Sequence, residues 1–276
     1  MNIWKVKDGE IDLDGLPIVM GILNITPDSF SDGGKYIRPD QAFRQAEKMV
    51  EDGAQIIDVG GESTRPGAEE VTAEEEIHRI VPVIERIAKN LDVKISVDTY
   101  KAATADAALK AGAHIVNDVY GFQYDPDIAR ITSMHKAGAV LMSNALMRKA
   151  GDIIKFKNQY LNKSIAIAHR NGIKNEQIVL DPGVGFGTTR TEDIRLINDI
   201  DAYRRILLGV SRKRIVDHLL GGETEPLDRV YGSVGLALAG AMRGAKILRV
   251  HDVKETYEAL KTFEAIKEAE KWTVSL

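Results

Sequence analysis

The chain reads as an α/β protein, a (β/α)8 TIM barrel preceded by a short N-terminal β-hairpin. Three observations predict this class. Eight short runs of Val, Ile, Leu and Met alternate with segments of helical periodicity. Each run ends on polar or charged residues, as in a parallel barrel that gathers its strand ends into one bowl. The 276 residues also suit one closed barrel, which uses roughly 250. An open doubly wound sheet is built from the same units. It is disfavoured because no glycine-rich phosphate turn follows the first strand, and polar residues end all eight strands rather than those at one switch point.

The elements follow in order. WKVKDGEIDLDG alternates apolar and polar residues around Asp8-Gly9 and predicts a hairpin closing the bottom of the barrel. The strand endings are Asn24 after VMGIL, Asp58 to Arg65 after AQII, Asp98 after KISV, and Asn117 with Asp118 after AHIV. They continue with Ser143 and Asn144 after AVLM, Asp181 after QIVL, Ser211 to Lys213 after ILLGV, and Arg249 to His251 after AKIL. Helices are expected near 39–52, 73–90, 101–111, 126–136, 153–171, 191–204, 212–220, 228–243 and 253–270. Thr72 with Glu75 forms a capping box, and Asp125 and Thr191 are expected N-caps. Gly53, Gly112, Gly138, Gly172 and Gly244 each follow a helix where a left-handed C-cap is needed. No linker or compositional shift interrupts this alternation, so residues 1–276 are read as a single domain.

Composition narrows the function. A formal net charge of −4 gives no general attraction for nucleic acid or anionic membranes. The absence of cysteine excludes disulfides, thiolate catalysis and thiolate-bound zinc. A polar N-terminus and the lack of any run near the roughly 18 apolar residues of a membrane span predict a soluble cytoplasmic protein.

The chemistry lies at the strand ends. NITPDSFSDGGKY is long enough for a lid or binding loop, with Gly33-Gly34 as a hinge and Phe30 as an apolar contact for a ligand. In DVGGESTRPGAEE, Arg65 follows two glycines and two hydroxyls, a setting for bidentate carboxylate or phosphate binding. Asp58 and Glu62 hold Arg65 or a backbone amide. Asp98, Asn117, Asp118 and Asp181 form an acceptor-rich pocket suited to a planar heterocycle with several N–H donors. A Mg²⁺ site is the rival for such carboxylates, while the lack of histidine at ligand spacing argues against a permanent transition-metal centre. The last two strands supply cations, Arg212, Lys213 and Arg214, then Arg249 and His251, where these barrels often bind phosphate. Arg249 and His251, two residues apart, face one side and with Arg65 suffice to neutralise a diphosphate.

Taken together, GILNITPDSFSDGGKY, GAQIIDVGGESTRPGAEEV, VDTYK, IVNDV, LDPGVGFG, GVSRKR and RVHDVKET resemble, in order and over nearly the whole chain, the dihydropteroate synthases. The resemblance implies condensation of 6-hydroxymethyl-7,8-dihydropterin diphosphate with 4-aminobenzoate, giving 7,8-dihydropteroate and pyrophosphate. It implies that Asp98, Asn117, Asp181 and Lys213 hydrogen-bond the pterin, with Met142, Val119 and Phe186 packing on its ring. Asn24, Arg249 and His251, aided by Arg65, would hold the diphosphate, and Asn24 would also ligate Mg²⁺. Phe30, Thr64, Pro66 and Arg214 would surround 4-aminobenzoate. Asp98, Asp181 and Lys213 would serve catalysis, with Asp32 on the closing loop, and a homodimer would form through the later helices.

Two positions depart from the family's pattern, Ser143 where histidine is usual and Thr188 where lysine is common. They leave room for a pterin-binding paralogue without efficient synthase activity. A methyltetrahydrofolate-binding methyltransferase barrel is the other alternative, but it has no use for the Arg249 and His251 clamp.

Overall fold

The structure, a computed structural model, describes residues 2–26, 39–63, 70–200 and 205–267. Strands β1 (Ile3–Val6) and β2 (Gly9–Asp12) form the expected antiparallel hairpin. Asp8 turns it at φ 56°, a left-handed conformation that Asp tolerates. The barrel strands are β3 (Ile18–Asn24), β4 (Ile56–Gly60), β5 (Lys94–Asp98), β6 (Ile115–Asp118), β7 (Gly138–Met142), β8 (Ile178–Asp181), β9 (Leu207–Leu208) and β10 (Ile247–Val250). All eight run parallel in the order β8-β7-β6-β5-β4-β3-β10-β9. β9 has two residues, and the ring closes through a parallel bridge of Leu180 with Ile206, Leu180 N donating to Arg205 O at 3.0 Å.

Around this ring lie α1 (Pro39–Glu51), α2 (Ala73–Asn90), α3 (Ala102–Ala111), α4 (Ile128–Met134) and α5 (Ile153–Arg170), then α6 (Arg190–Asn198), α7 (Arg214–Leu219), α8 (Val230–Met242) and α9 (Val253–Lys267). Among the described residues, no helix is long and apolar enough to cross a membrane. Odd-numbered residues of β3, such as Val19 and Leu23, pack outward against the helices in the main apolar core. Met20 points inward and joins Ile56, Ile115, Val140, Val179, Leu207 and Ile247 in a second apolar layer inside the barrel. Because side chains alternate along a strand, the next interior layer lies two residues further on. That layer contains Ile22, Asp58, Asn117, Met142, Asp181, Gly209 and Arg249, together with Asp98 from β5. The interior therefore changes from apolar to polar across a single pleat.

Several local signals are realised differently from the sequence reading. Thr72 accepts a hydrogen bond from Glu75 N (3.2 Å) at the start of α2, as expected. The N-cap of α6 is Thr189, two residues before the predicted Thr191, and it forms a full capping box with Glu192. The residue before α4 is Asp127, which makes no side-chain cap bond; Asp125 Oδ1 accepts from Asp127 N (3.0 Å) in the turn that leads into the helix, while its Oδ2 accepts from Ala102 N (2.8 Å) and caps α3, where Lys101 offers no side-chain acceptor. Gly53, Gly112, Gly172 and Gly244 adopt the left-handed conformation. Gly138 does not: Lys136 takes that position at φ 54°, and Gly138 is needed for close approach. A Cβ there would lie 2.8 Å from Val6 Cγ1 and 3.2 Å from Trp4 Nε1.

That approach seats the hairpin under the barrel. Trp4 is fully buried with the lower interior layer, and its Nε1 donates to Gln177 O (2.9 Å) before β8. Trp4→Ala is expected to cost about 3–5 kcal/mol, the range for large-to-small aromatic core changes. The measurement is urea denaturation, with turnover at low temperature staying near that of the parent because the opposite end of the barrel is untouched.

Candidate active site

The polar interior layer is organised by Arg249, which enters the bowl from β10. Its Nε donates to Asp58 Oδ2 and its Nη2 to Asp98 Oδ2, both at 2.6 Å. Asn117 Nδ2 donates to the same Asp58 oxygen at 3.0 Å. Asp58 is fully buried, so it neutralises and orients the guanidinium without touching solvent. Among the described residues Asp98 Oδ1 has no hydrogen-bond partner, which leaves an acceptor beside Arg249. Burial pushes the Asp98 carboxyl up to about 7, against the opposing pull of Arg249.

Across the bowl, Asp181 ends β8 and Lys213 follows β9. Asp181 Oδ1 accepts from Gly183 N (2.7 Å), and burial raises its pKa while Lys213 opposes that shift. Burial lowers the Lys213 ammonium to about 8, the carboxylate of Asp181 working the other way. Lys213 Nζ donates to Val184 O (2.6 Å) and lies 4.9 Å from the centre of the Phe186 ring. Val119, Met142 and Tyr100 form a small apolar cluster, with Phe186 and Tyr120 packed against it. This end of the barrel is thus one-sidedly polar: carboxylates and an amide lie on its floor, with apolar side chains beside them.

The backbone of the wall is tightly interlocked. Gly183 has φ 78°, and a Cβ there would lie 1.7 Å from Ser143 O, so only glycine fits. Ser143 N donates to Asp181 O (2.9 Å) and Ala145 N to Phe186 O (3.1 Å), joining the turns after β7 and β8.

On the rim, Ser211 Oγ accepts from His251 N (3.2 Å) and lies 3.1 Å from His251 Nδ1. Arg212 is not an available cation, because it pairs with Asp252 through Nε (3.1 Å) and Nη2 (2.5 Å). Its φ of 59° is uncommon for a non-glycine residue, and that conformation lets its side chain turn outward while Lys213 turns in. Arg214 opens α7 and is exposed. Asn24 ends β3, its Oδ1 3.7 Å and Asp98 Oδ2 3.8 Å from where a Cβ on Gly60 would stand. Glu62 accepts from Tyr100 Oη (3.0 Å) and pairs with Lys101, which also bonds the buried Glu76 (3.0 Å).

The structure thus brings Asn24, Asp98, Asn117, Val119, Met142, Asp181, Phe186, Lys213, Arg249 and His251 to one end of the barrel. Phe30, Asp32, Thr64, Arg65 and Pro66 lie outside the described residues. Asp118 leaves the predicted acceptor set. It follows Asn117 directly on β6 and so points outward, where its oxygens accept from Tyr120 N and Phe122 N, both at 2.7 Å. Asp58, read from sequence as a partner of Arg65 or a backbone amide, instead anchors Arg249 and Asn117. Its parity with Ile56 was the signal that placed it inside. Glu62 likewise serves Tyr100 and Lys101.

Known proteins agree with this geometry. The model of the pterin binding enzyme family matches residues 20–251. The dihydropteroate synthase of Bacillus subtilis strain 168 is 45% identical over 269 residues, 96% of this chain and 94% of that protein. The chain belongs to the dihydropteroate synthase family. Among solved structures, the dihydropteroate synthase of Clostridium difficile with pteroic acid superposes with a TM-score of 0.88 at 41% identity, covering 93% of this chain and 98% of that one. The Xanthomonas albilineans dihydropteroate synthase in complex with 7,8-dihydropteroate gives 0.87 at 35% identity, with 96% and 98% coverage. As a dihydropteroate synthase, the chain is a transferase that condenses 6-hydroxymethyl-7,8-dihydropterin diphosphate with 4-aminobenzoate to 7,8-dihydropteroate and pyrophosphate.

Removing Asp58 strands both Arg249 and Asn117. Asp58→Ala is expected to cost about 3–5 kcal/mol in urea unfolding, as for other broken buried ion pairs. Binding of a pterin followed by calorimetry should weaken in parallel.

Proposed function

We propose that the acceptor-rich slot holds the pterin and that its diphosphate points to the rim, where it departs by a dissociative path. The observation that carries this reading is the Asp98 carboxylate, half engaged by Arg249 and otherwise unpaired, facing a second carboxylate and ammonium pair, Asp181 and Lys213. Asp98, Asn117 and Asp181 accept from the amino and ring N–H groups of the pterin, and Lys213 donates to its carbonyl oxygen. Val119, Met142 and Phe186 cover the ring faces.

No side-chain nucleophile is needed, because the aniline nitrogen of 4-aminobenzoate attacks the pterin methylene after the C–O bond to diphosphate breaks, and the new C–N bond is left neutral when the nitrogen gives up one N–H proton to the released pyrophosphate or to water. Asp98 and Asp181 stabilise the positive charge that develops there. His251 and the remaining N–H groups of Arg249 receive the departing diphosphate, with Arg65. Phe30, Thr64, Pro66 and Arg214 border 4-aminobenzoate, and the 24–38 loop with Asp32 keeps water from the cation.

Mg²⁺ fits this site as an ion arriving with the substrate. Among the described residues no group of three His, Cys, Asp or Glu is placed to hold a metal. Asn24 offers a hard amide oxygen beside Gly60, which has no side chain, and Mg²⁺ commonly takes few protein ligands when phosphate oxygens are available. The bound ion would offset charge on the leaving diphosphate.

The chain is also proposed to act in the cytoplasm as a homodimer through its later helices. One face of α8 is used by the barrel, a Cβ on Gly240 falling 2.2 Å from Leu208 Cδ2. Beside it, Leu227 and Tyr231 are 71% and 89% exposed, with Leu219, Leu220 and Met242 also exposed. Exposed apolar side chains on neighbouring helices support such an interface. Tyr231→Asp should shift the molar mass measured by light scattering from dimer to monomer, and an unchanged mass would reject this face.

Sustained pyrophosphate release should require 4-aminobenzoate as well as the pterin diphosphate, and Asp98→Asn should lower kcat by about 10²-fold or more, a loss of turnover far larger than its loss of fold stability. Turnover that survives Asp98→Asn would sink the assignment. The pH profile tests Lys213. Its protonated form is the donor, so kcat/KM for the pterin diphosphate should hold below about pH 8 and fall above it. Lys213→Arg, which stays charged, should remove that alkaline limb. On the acid side, activity should decline at a pH above the usual carboxylate range, because burial raises Asp98 and only its ionised form accepts from the pterin.

A further inference from the structure

Asp193 is fully buried, yet it has no part in the chemistry above. It lies on the inward stripe of α6 with Leu196 and Ile197. Its Oδ1 accepts from Gly185 N (2.8 Å) and from Thr188 Oγ1 (2.5 Å), while Thr188 Oγ1 itself accepts from Gly185 N (3.0 Å). Arg190 Nη1 stands 3.0 Å from the other oxygen, Oδ2. Thr188 is buried as well. The turn 183–188 is therefore clamped from behind at its central amide.

The front of the same turn meets Lys213. Val184 O accepts from Lys213 Nζ (2.6 Å), and the Phe186 ring lies beside that ammonium. Between them, the place a Cβ on Gly185 would occupy is 3.1 Å from Lys213 Cδ. The amide of Gly185 is thus fixed on one side by Asp193 and Thr188, while its flanking residues hold the Lys213 side chain on the other.

We propose that Thr188 and Asp193 are positioning residues which, through the Val184–Phe186 turn, set the Lys213 ammonium at the pterin slot. This rests on Lys213 contacting the pterin as set out above. Asp193 also acts through its charge. The charged groups that face Lys213 are Asp181, Asp193 and Asp98, which favour its protonated form, and Arg249, which opposes it, all superimposed on burial as the main influence.

Three variants separate geometry from charge. Thr188→Val keeps the shape and removes the hydroxyl, Thr188→Ser restores it, and Asp193→Asn keeps an acceptor oxygen but loses the charge. Thr188→Val should raise KM for the pterin diphosphate about 5- to 10-fold, the worth of one hydrogen bond, and Thr188→Ser should recover it. Asp193→Asn should move the alkaline limb of kcat/KM to lower pH. Folded Thr188→Val and Asp193→Asn proteins with the parent KM and an unmoved limb would overturn the proposal, as would lost thermal stability with both readouts unmoved. If Asp193→Asn does not fold, the Thr188 pair decides alone. Lys213→Ala is the control: an unchanged KM there rejects the pterin role of Lys213 itself. A raised KM there beside a silent Thr188→Val rejects only the positioning role.

Discussion

The upper half of the barrel depends on one buried contact, the bridge from Arg249 to Asp58 and Asp98. In the sheet order β3 stands between β10 and β4, with β5 beyond, so the guanidinium reaches past its paired neighbour to brace two strands that β10 does not pair with. Burying a guanidinium costs several kcal/mol unless its charge is matched. Two carboxylates on neighbouring strands match it, and they can face it only because Asp58 and Asp98 share the interior parity of their strands. The same bridge arranges the site: it holds Asn117 through Asp58 and occupies one oxygen of Asp98 while leaving the other unpaired.

The sequence carried the barrel, the hairpin beneath it and the end at which chemistry gathers, because strand period and polar endings are local patterns. It also contained more than a list of endings reveals. Alternation separates Asn117, which enters the bowl, from Asp118, which turns away to cap the next loop. It likewise places Asp58 inside with Ile56. On the helices, Glu76 and Asp193 each occupy an apolar stripe, beside Ile80 and beside Leu196, where a carboxylate persists only if something buried needs it. What those groups bind was not legible. Asp58 and Arg249 are 191 residues apart, and no local pattern records which strands a closed ring brings face to face. The two-residue length of β9 is equally a product of closure.

The two departures from the family's usual residues now have physical positions. Ser143 follows the inward Met142 and therefore lies on the outward side of β7. Its backbone serves the site, N to Asp181 O and O against Gly183, and any residue supplies those atoms. The missing histidine does not disturb the wall of the slot. Thr188 differs in kind, because its hydroxyl is used. A buried Thr–Asp pair is directional and dry, and it fixes the turn through the Gly185 amide.

The charges of the described site are graded along its depth. Asp58, Asp98 and Asp181 at the floor outnumber Arg249 and Lys213, so the deepest region carries an excess of negative charge if all five are ionised. Burial raises the Asp98 and Asp181 carboxyls and lowers the Lys213 ammonium, each toward its neutral form, so a cation placed beside them would be welcome. In the proposed reaction, a methylene gaining positive charge beside these carboxylates would supply that cation and be stabilised as it forms. The anionic diphosphate would be repelled by the same carboxylates and drawn toward His251 and the remaining N–H groups of Arg249. Under the proposed mechanism one gradient would both orient the substrate and lower the barrier to its ionisation, without requiring a side chain to form or break a bond.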